Sequence, residues 1–128
     1  MKEPEWIPVQ VVLAAHEMLI AEFGGQPGVR DRGLLESALA RPQNQFLHQQ
    51  TDLVELAVLY VSGIIRNHPF FDGNKRTGFM MGYDFLFQNG QVLEAPEAET
   101  ARAVLDLADK TITETEFAAW LRQYCKSL

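Results

Sequence analysis

Apolar residues recur along this chain at helical spacing, and clusters of glycine and proline divide the run into segments. Between Val9 and Phe23 apolar side chains stand at Val12, Ala15, Leu19 and Phe23, with Glu17 and Glu22 on other faces, which predicts an amphipathic helix. His16 lies on the same apolar face and reads as a satisfied buried histidine rather than a reactive one. From Gly24 to Gly33, GGQPGVRDRG, four glycines and a proline stop the helix and leave a loop or hairpin. The plain reading is a surface connection that closes the helix with a glycine cap; the functional alternative is a mobile flap over a site. Asp31 is suited to cap a short helix carrying Leu34, Leu35, Ala38 and Leu39. That helix is predicted to end before Arg41-Pro42, because the residue ahead of proline is pushed out of helical geometry. QNQFLHQQTD then reads as a polar linker, with His48 solvated among glutamines.

The stretch LVELAVLYVSGIIRN, Leu53 to Asn67, is apolar on every face, the pattern of a central buried helix. Its β-branched residues would also suit strands, but the run is long for a strand and holds no turn signal. Gly63 permits close packing. Pro69 ends the helix, so His68 emerges at its C-terminal end. Asp72-Gly73-Asn74 makes a turn, and from Lys75 a second helix runs through Phe79, Met80, Tyr83, Leu86 and Phe87 to a stop at Asn89-Gly90. Gly78 and Gly82, one turn apart, predict close backbone approach to the preceding helix. QVLEAP is compatible with an extended segment, and Pro96 opens a helix using Ala98, Ala101, Val104, Leu105 and Leu107. Thr113-Glu114-Thr115-Glu116 is a capping box for a last helix with Phe117, Trp120, Leu121 and Tyr124 as its buried face. The expectation is an all-α fold of about six helices forming one domain over residues 1–128.

Composition narrows the functional classes. A chain of 128 residues that is 47% hydrophobic can bury a core without staples, and Cys125, its only cysteine, excludes an internal disulfide and a cysteine metal site. The formal charge of -6 argues against sequence-independent nucleic-acid binding, which relies on lysine and arginine. The N-terminus MKEPEWIPVQ lacks the features of a secretory leader, and Glu55, Ser62, Gly63 and Asp84 interrupt the apolar runs. A cytoplasmic protein with no membrane span is expected. Locally the charge reverses: from Arg66 to Arg76 three cations face one carboxylate.

That reversal centres on HPFFDGNKRT, His68 to Thr77. A helix N-terminus presents unpaired amides and the positive end of its dipole, and Gly73-Asn74 lets the backbone approach an anion closely. Lys75 and Arg76 can add charge-assisted hydrogen bonds to phosphate oxygens, and Asp72 is suited to a magnesium ion bridging them. His68 can take a proton from an attacking hydroxyl near neutral pH. Base, metal ligand and anion hole together suggest phosphoryl-type transfer. The bland alternative is an ordinary turn, solvated cations and a histidine that caps a helix. A Walker loop is excluded because Asn74, not glycine, precedes Lys75. A zinc site built on His68 and Asp72 lacks a third nearby ligand.

HPFFDGNKRT resembles the signature of the Fic/Doc superfamily, and specifically of the death-on-curing (Doc) toxins of type II toxin-antitoxin systems. Chain length, the early GGQPGVRD segment and the apolar helix leading into His68 extend the resemblance over most of the chain. It implies a compact Fic/Doc bundle with a glycine-rich flap after the first helix. It makes His68 the catalytic residue, Asp72 the magnesium ligand, Gly73, Asn74 and Lys75 the anion hole, and Arg76 a phosphate contact. Thr77 joins Gly73 to Arg76 in the nucleotide-binding set, and Gly24, Gly25, Pro27, Gly28 and Arg30 form the flap that positions the target. ATP and magnesium are the implied cofactors. A cognate antitoxin whose disordered tail folds into the cleft, and elongation factor Tu as target, are the implied partners, without nucleic acid or membrane.

Fic enzymes typically carry glycine where this chain has Lys75 and a second arginine where it has Phe79. Both departures resemble Doc, which phosphorylates a threonine of elongation factor Tu and halts translation, rather than an AMP-transferase. Gly73, in contrast, is the Fic-type residue where the best-known Doc motif has alanine, so AMP transfer stays an alternative, as does a non-catalytic binding module. The self-inhibitory Ser/Thr-x-x-x-Glu-Gly/Asn pattern of many Fic proteins is missing: Thr51 to Glu55 is followed by Leu56.

Overall fold

The computed structural model describes residues 2–128. Among them are six helices, α1 (Val9–Phe23), α2 (Arg32–His48), α3 (Leu53–Asn67), α4 (Asn74–Gln88), α5 (Glu97–Ala108) and α6 (Glu114–Tyr124), and two short strands, β1 (Gln91–Leu93) and β2 (Cys125–Ser127). Three starts follow from side-chain caps: Asp31 accepts from Leu34 N–H, Asp52 from Glu55 N–H, and Thr113 and Glu116 bond each other's backbone as a capping box. The all-α expectation holds, with one small addition. β1 and β2 pair antiparallel, Leu93 opposite Cys125, so the chain's last residues return to the end of α4.

α3 is the axis of the molecule. Val54 and every residue from Leu56 to Ile64 are buried, and α2, α4 and α6 pack around them. The glycines of α4 explain how closely it lies against α3. A Cβ on Gly78 would stand 2.9 Å from the Val61 carbonyl oxygen, and one on Gly82 would stand 2.5 Å from Val61 Cγ2 and 3.2 Å from the Ala57 carbonyl oxygen. The 2.9 and 2.5 Å approaches are closer than real Cβ atoms come, so glycine is what admits this packing. On the other side Gly63 meets Ala38 of α2, where a Cβ would be 3.4 Å away. α4 is thereby pinned to the rigid centre, and its N-terminus is carried by the core rather than by a free loop.

Two expectations are corrected. α2 does not stop before Arg41-Pro42 but runs through to His48 with Pro42 inside it, so the supposed polar linker is helix. An interior proline costs about 3 kcal/mol, and tertiary contacts offset it. Pro42 itself is buried, Phe46 packs edge-on against Trp6 with centroids 5.7 Å apart, and Arg41 donates to both oxygens of Glu114 at 2.8 and 2.9 Å. Phe23, expected on the buried face of α1, is half exposed, and its ring lies 4.2 Å beneath the Arg76 guanidinium. His48 is exposed, as expected.

Candidate active site

The polar motif occupies the turn between α3 and α4. α3 ends on His68, which adopts the left-handed conformation (φ 51, ψ 54) with its amide still donating to Ile64 O. A residue with a Cβ pays a penalty of about 1–2 kcal/mol in that region, so something must hold it there. The holding group is Arg30: its Nε donates to the His68 carbonyl at 2.8 Å and its Nη2 to the Asn67 carbonyl at 3.1 Å. A guanidinium on the last carbonyls of α3 also meets the negative end of the helix dipole. His68 itself is exposed to solvent.

The glycine-rich segment lies along the motif. Val29 forms an isolated antiparallel bridge with Phe70, Arg30 and Asp31 N–H both donate to Pro69 O, and Phe71 N–H donates to Gly28 O. Nearer α1, Gln26 N–H donates to Asp72 Oδ2 at 2.6 Å. Gly25 must be glycine: its φ is 115, and a Cβ there would come to 3.0 Å of Asp72 Cβ. The segment is therefore anchored at both ends of the motif, at Arg30 and at Gln26.

α4 starts on Gly73, also left-handed (φ 77, ψ 17), and no side chain caps the helix. Among the described residues nothing accepts from the amides of Gly73, Asn74, Lys75 or Arg76; the first engaged amide is Thr77 N–H, which donates to Gly73 O at 3.0 Å. A left-handed residue leading into helical ones aims successive amides at one concave point, an anion-binding nest. Lys75 and Arg76 stand exposed beside it. The carboxylate of Asp72 is exposed too, with Oδ2 taken by Gln26 N–H and no hydrogen bond to Oδ1 among the described residues. No group of three or more metal-binding side chains occurs among them, and the motif itself offers one carboxylate, Asp72. That donor set fits magnesium, which keeps its waters and leans on substrate phosphates.

The Fic/DOC family model matches residues 6–86, from Trp6 through the motif to the end of α4. The chain belongs to the Fic/DOC family. It is 37% identical over 93 residues to the protein kinase doc of Escherichia phage P1, covering 71% of this chain and 74% of that protein. It is 41% identical over 75 residues to the toxin Doc of Mycolicibacterium smegmatis, covering 57% of this chain and 58% of that one. Among Fic/DOC proteins it thus stands with those named Doc.

Within this Fic/DOC site the residues singled out by sequence divide into three groups. His68, Asp72, Gly73, Lys75 and Arg76 are brought together on one exposed turn, and Gly24, Gly25, Pro27, Gly28 and Arg30 lie alongside it. Asn74 is present in a narrower sense. Its side chain is buried, accepts from Phe70 N–H at 3.0 Å and donates to Phe70 O at 2.9 Å, so only its backbone amide is left open. Thr77 is corrected: it is fully buried, its amide belongs to the helix, and its hydroxyl has no partner among the described residues, so neither group reaches a nucleotide. His16 is the satisfied buried histidine that the sequence predicts, and its partner belongs to the motif: Nε2 meets the Asp72 carbonyl at 2.8 Å, and the ring stacks on Phe70 at 3.8 Å. Nothing in the local sequence of α1 signals that partner, which lies 56 residues away.

A groove of about 770 Å³ leads away from the motif between α4 and α5, with Leu19, Phe23, Phe79, Tyr83 and Val104 among its apolar lining. Lys75 and Arg76 stand at one part of it, and the carboxylates of Asp84 and Glu97 also line it. Burial raises the Asp84 carboxyl above the usual carboxylate range. No helix among the described residues is long and apolar enough to cross a membrane.

Proposed function

We propose that this chain is the toxin of a type II toxin-antitoxin pair that transfers the γ-phosphate of ATP to a hydroxyl of elongation factor Tu, most simply a threonine, and so arrests translation. The observation that carries the reading is the row of four open amides at the start of α4, flanked by Lys75 and Arg76 and sharing one turn with His68 and Asp72. The name of the phage P1 relative, a protein kinase, supports the same reaction class.

In this mechanism His68 takes the proton of the target hydroxyl. Its oxygen bonds to the γ-phosphorus, the bond from that phosphorus to the bridging oxygen breaks, and ADP leaves with the electron pair. The amides of Gly73 to Arg76 hold phosphate oxygens through the transition state, where fixed donors are worth most because they need no reorganisation. Lys75 and Arg76 add a point charge and a planar fork. Asp72 Oδ1 would hold magnesium, which supplies charge neutralisation at the phosphates. Gly24, Gly25, Pro27 and Gly28, anchored by Arg30, guide the target backbone toward His68. The groove beside α4 suits an amphipathic segment, which is how a disordered antitoxin tail would cover the site.

AMP transfer is the second reading, and Gly73 favours it: glycine is the Fic-type residue at this position, and the φ of 77 here is one that glycine adopts without strain. Incubation of the chain with elongation factor Tu and ATP labelled at either the α or the γ phosphate separates the two. Label from the γ position alone on the target is the expected result; label from the α position alone would establish AMP transfer instead. A His68→Ala chain should leave neither label.

A further inference from the structure

The four open amides at the start of α4 are those any α-helix leaves without an intrahelical partner, with Thr77 N–H closing the first turn on Gly73 O. What is particular to this chain is how the peptide ahead of them is held. The Asp72 carbonyl is turned inward to His16 Nε2, 2.8 Å away, and Arg76 N–H has no acceptor among the described residues. A carbonyl oxygen only accepts, so Nε2 carries the proton and donates.

That bond to His16 sets the direction of the Gly73 amide. The Asp72–Gly73 peptide is trans, so its C=O and N–H point in opposite directions. Anchoring the oxygen on a buried ring directs Gly73 N–H away from the core. The anchor is stiff: His16 is 2% exposed and lies face to face with Phe70, 8° from parallel. Phe70 is in turn clamped through its backbone by Asn74. Gly73 also touches this support, since a Cβ on it would stand 3.6 Å from His16 Nε2 and 3.2 Å from Ile20 Cδ1.

We infer that His16 is a positioning residue for catalysis: by holding the Asp72 carbonyl it fixes the Asp72–Gly73 peptide plane and keeps the Gly73 amide aimed at the transferred phosphate. It touches no substrate and acts through one peptide plane. The inference rests on reading the first turn of α4 as the phosphate site.

The direct test is a titration of the ¹⁵N-labelled chain with inorganic phosphate, following the backbone resonances of Gly73 to Arg76. In the parent these amides should shift together. In His16→Phe, which keeps an aromatic ring against Phe70 but has no donor, phosphate affinity should fall at least tenfold. In His16→Gln, whose side-chain amide reaches as far as Nε2, affinity should stay within about threefold of the parent. With ATP and target, His16→Phe should lower kcat by about 10²–10³, the loss typical of a missing oxyanion donor, while KM for the target protein stays nearly constant. Equal phosphate affinity in the parent and a folded His16→Phe chain would overturn the role of His16 alone. A parent whose Gly73 to Arg76 amides ignore phosphate would overturn the phosphate-site reading as well. If His16→Phe fails to fold, the unmodified chain still decides. A slowly exchanging proton on His16 Nε2, coupled across the hydrogen bond to the Asp72 carbonyl carbon, supports the inference, and an unprotonated Nε2 sinks it.

Discussion

Asn74→Ala separates two accounts of the same residue. If Asn74 served chiefly as a nucleotide ligand, its loss would lower activity and leave stability alone. The structure makes it a clamp instead: among the described residues its side chain is the sole partner of Phe70 N–H and of Phe70 O, both inside the fold. Truncation strands both backbone groups, and each buried unsatisfied group costs about 1–3 kcal/mol, so with partial relaxation the chain should lose about 2–4 kcal/mol. At roughly 4 °C per kcal/mol for a chain of this size, Tm should fall by about 8–16 °C in a thermal melt followed by circular dichroism. Asn74→Asp is the control. A carboxylate can still accept from Phe70 N–H but opposes the Phe70 carbonyl, so the loss should be comparable at neutral pH. Acidification should recover part of it as protonation restores a donor. An Asn74→Ala chain that melted within about 2 °C of the parent, yet no longer turned over ATP, would refute the clamp.

Gly25→Ala forces a left-handed residue against Asp72 Cβ and Ile20 Cδ1, at 3.0 and 3.2 Å, so the Gln26 contact to Asp72 should be lost. Transfer to the target should fall about tenfold for want of positioning, with the melt nearly unchanged; full activity would show that the flap need not lie on Asp72. Arg30→Ala removes both bonds that hold the end of α3, and His68 should relax from its left-handed conformation, visible as a shifted imidazole resonance and reduced transfer. Arg30→Lys should rescue it only partly, because a point charge replaces a two-pronged donor. Asp84→Asn tests the groove. Burial raises the folded-state pKa of Asp84, so its stability contribution is present below the ordinary value of 3.8 and is lost as pH rises through the raised one. The amide variant should therefore melt higher than the parent at pH 7, with the gap closing on acidification; an equal gap at both pH values would mean that titration of Asp84 is not its cause.

The motif was legible because its chemistry is local. A histidine ahead of proline, an aspartate-glycine turn and two cations opening a helix are neighbours in sequence and stay neighbours in space. The glycine pair of α4 was legible for a related reason, since a helix tolerates two glycines on one face only where a neighbour needs the room. Where the reading failed, distant partners had intervened. Pro42 stays inside α2 because Trp6 and Glu114, from remote parts of the chain, hold its helix neighbours Phe46 and Arg41. Thr77 left the site because α4 turns that face toward the core.

Periodicity, caps and one ten-residue motif were enough to determine the six helices, the central place of α3 and the family of this protein. Those are short-range properties: 3.6-residue spacing, a side chain reaching three amides ahead, and groups that meet within a turn. Tertiary structure alone decided how the motif is held. The Arg30 grip on His68, the Gln26 amide on Asp72 and the His16 bond to the Asp72 carbonyl join residues 38, 46 and 56 positions apart. Such bonds depend on the packing of α1 and the glycine-rich segment against the turn, and no local pattern in either segment encodes the distance between them.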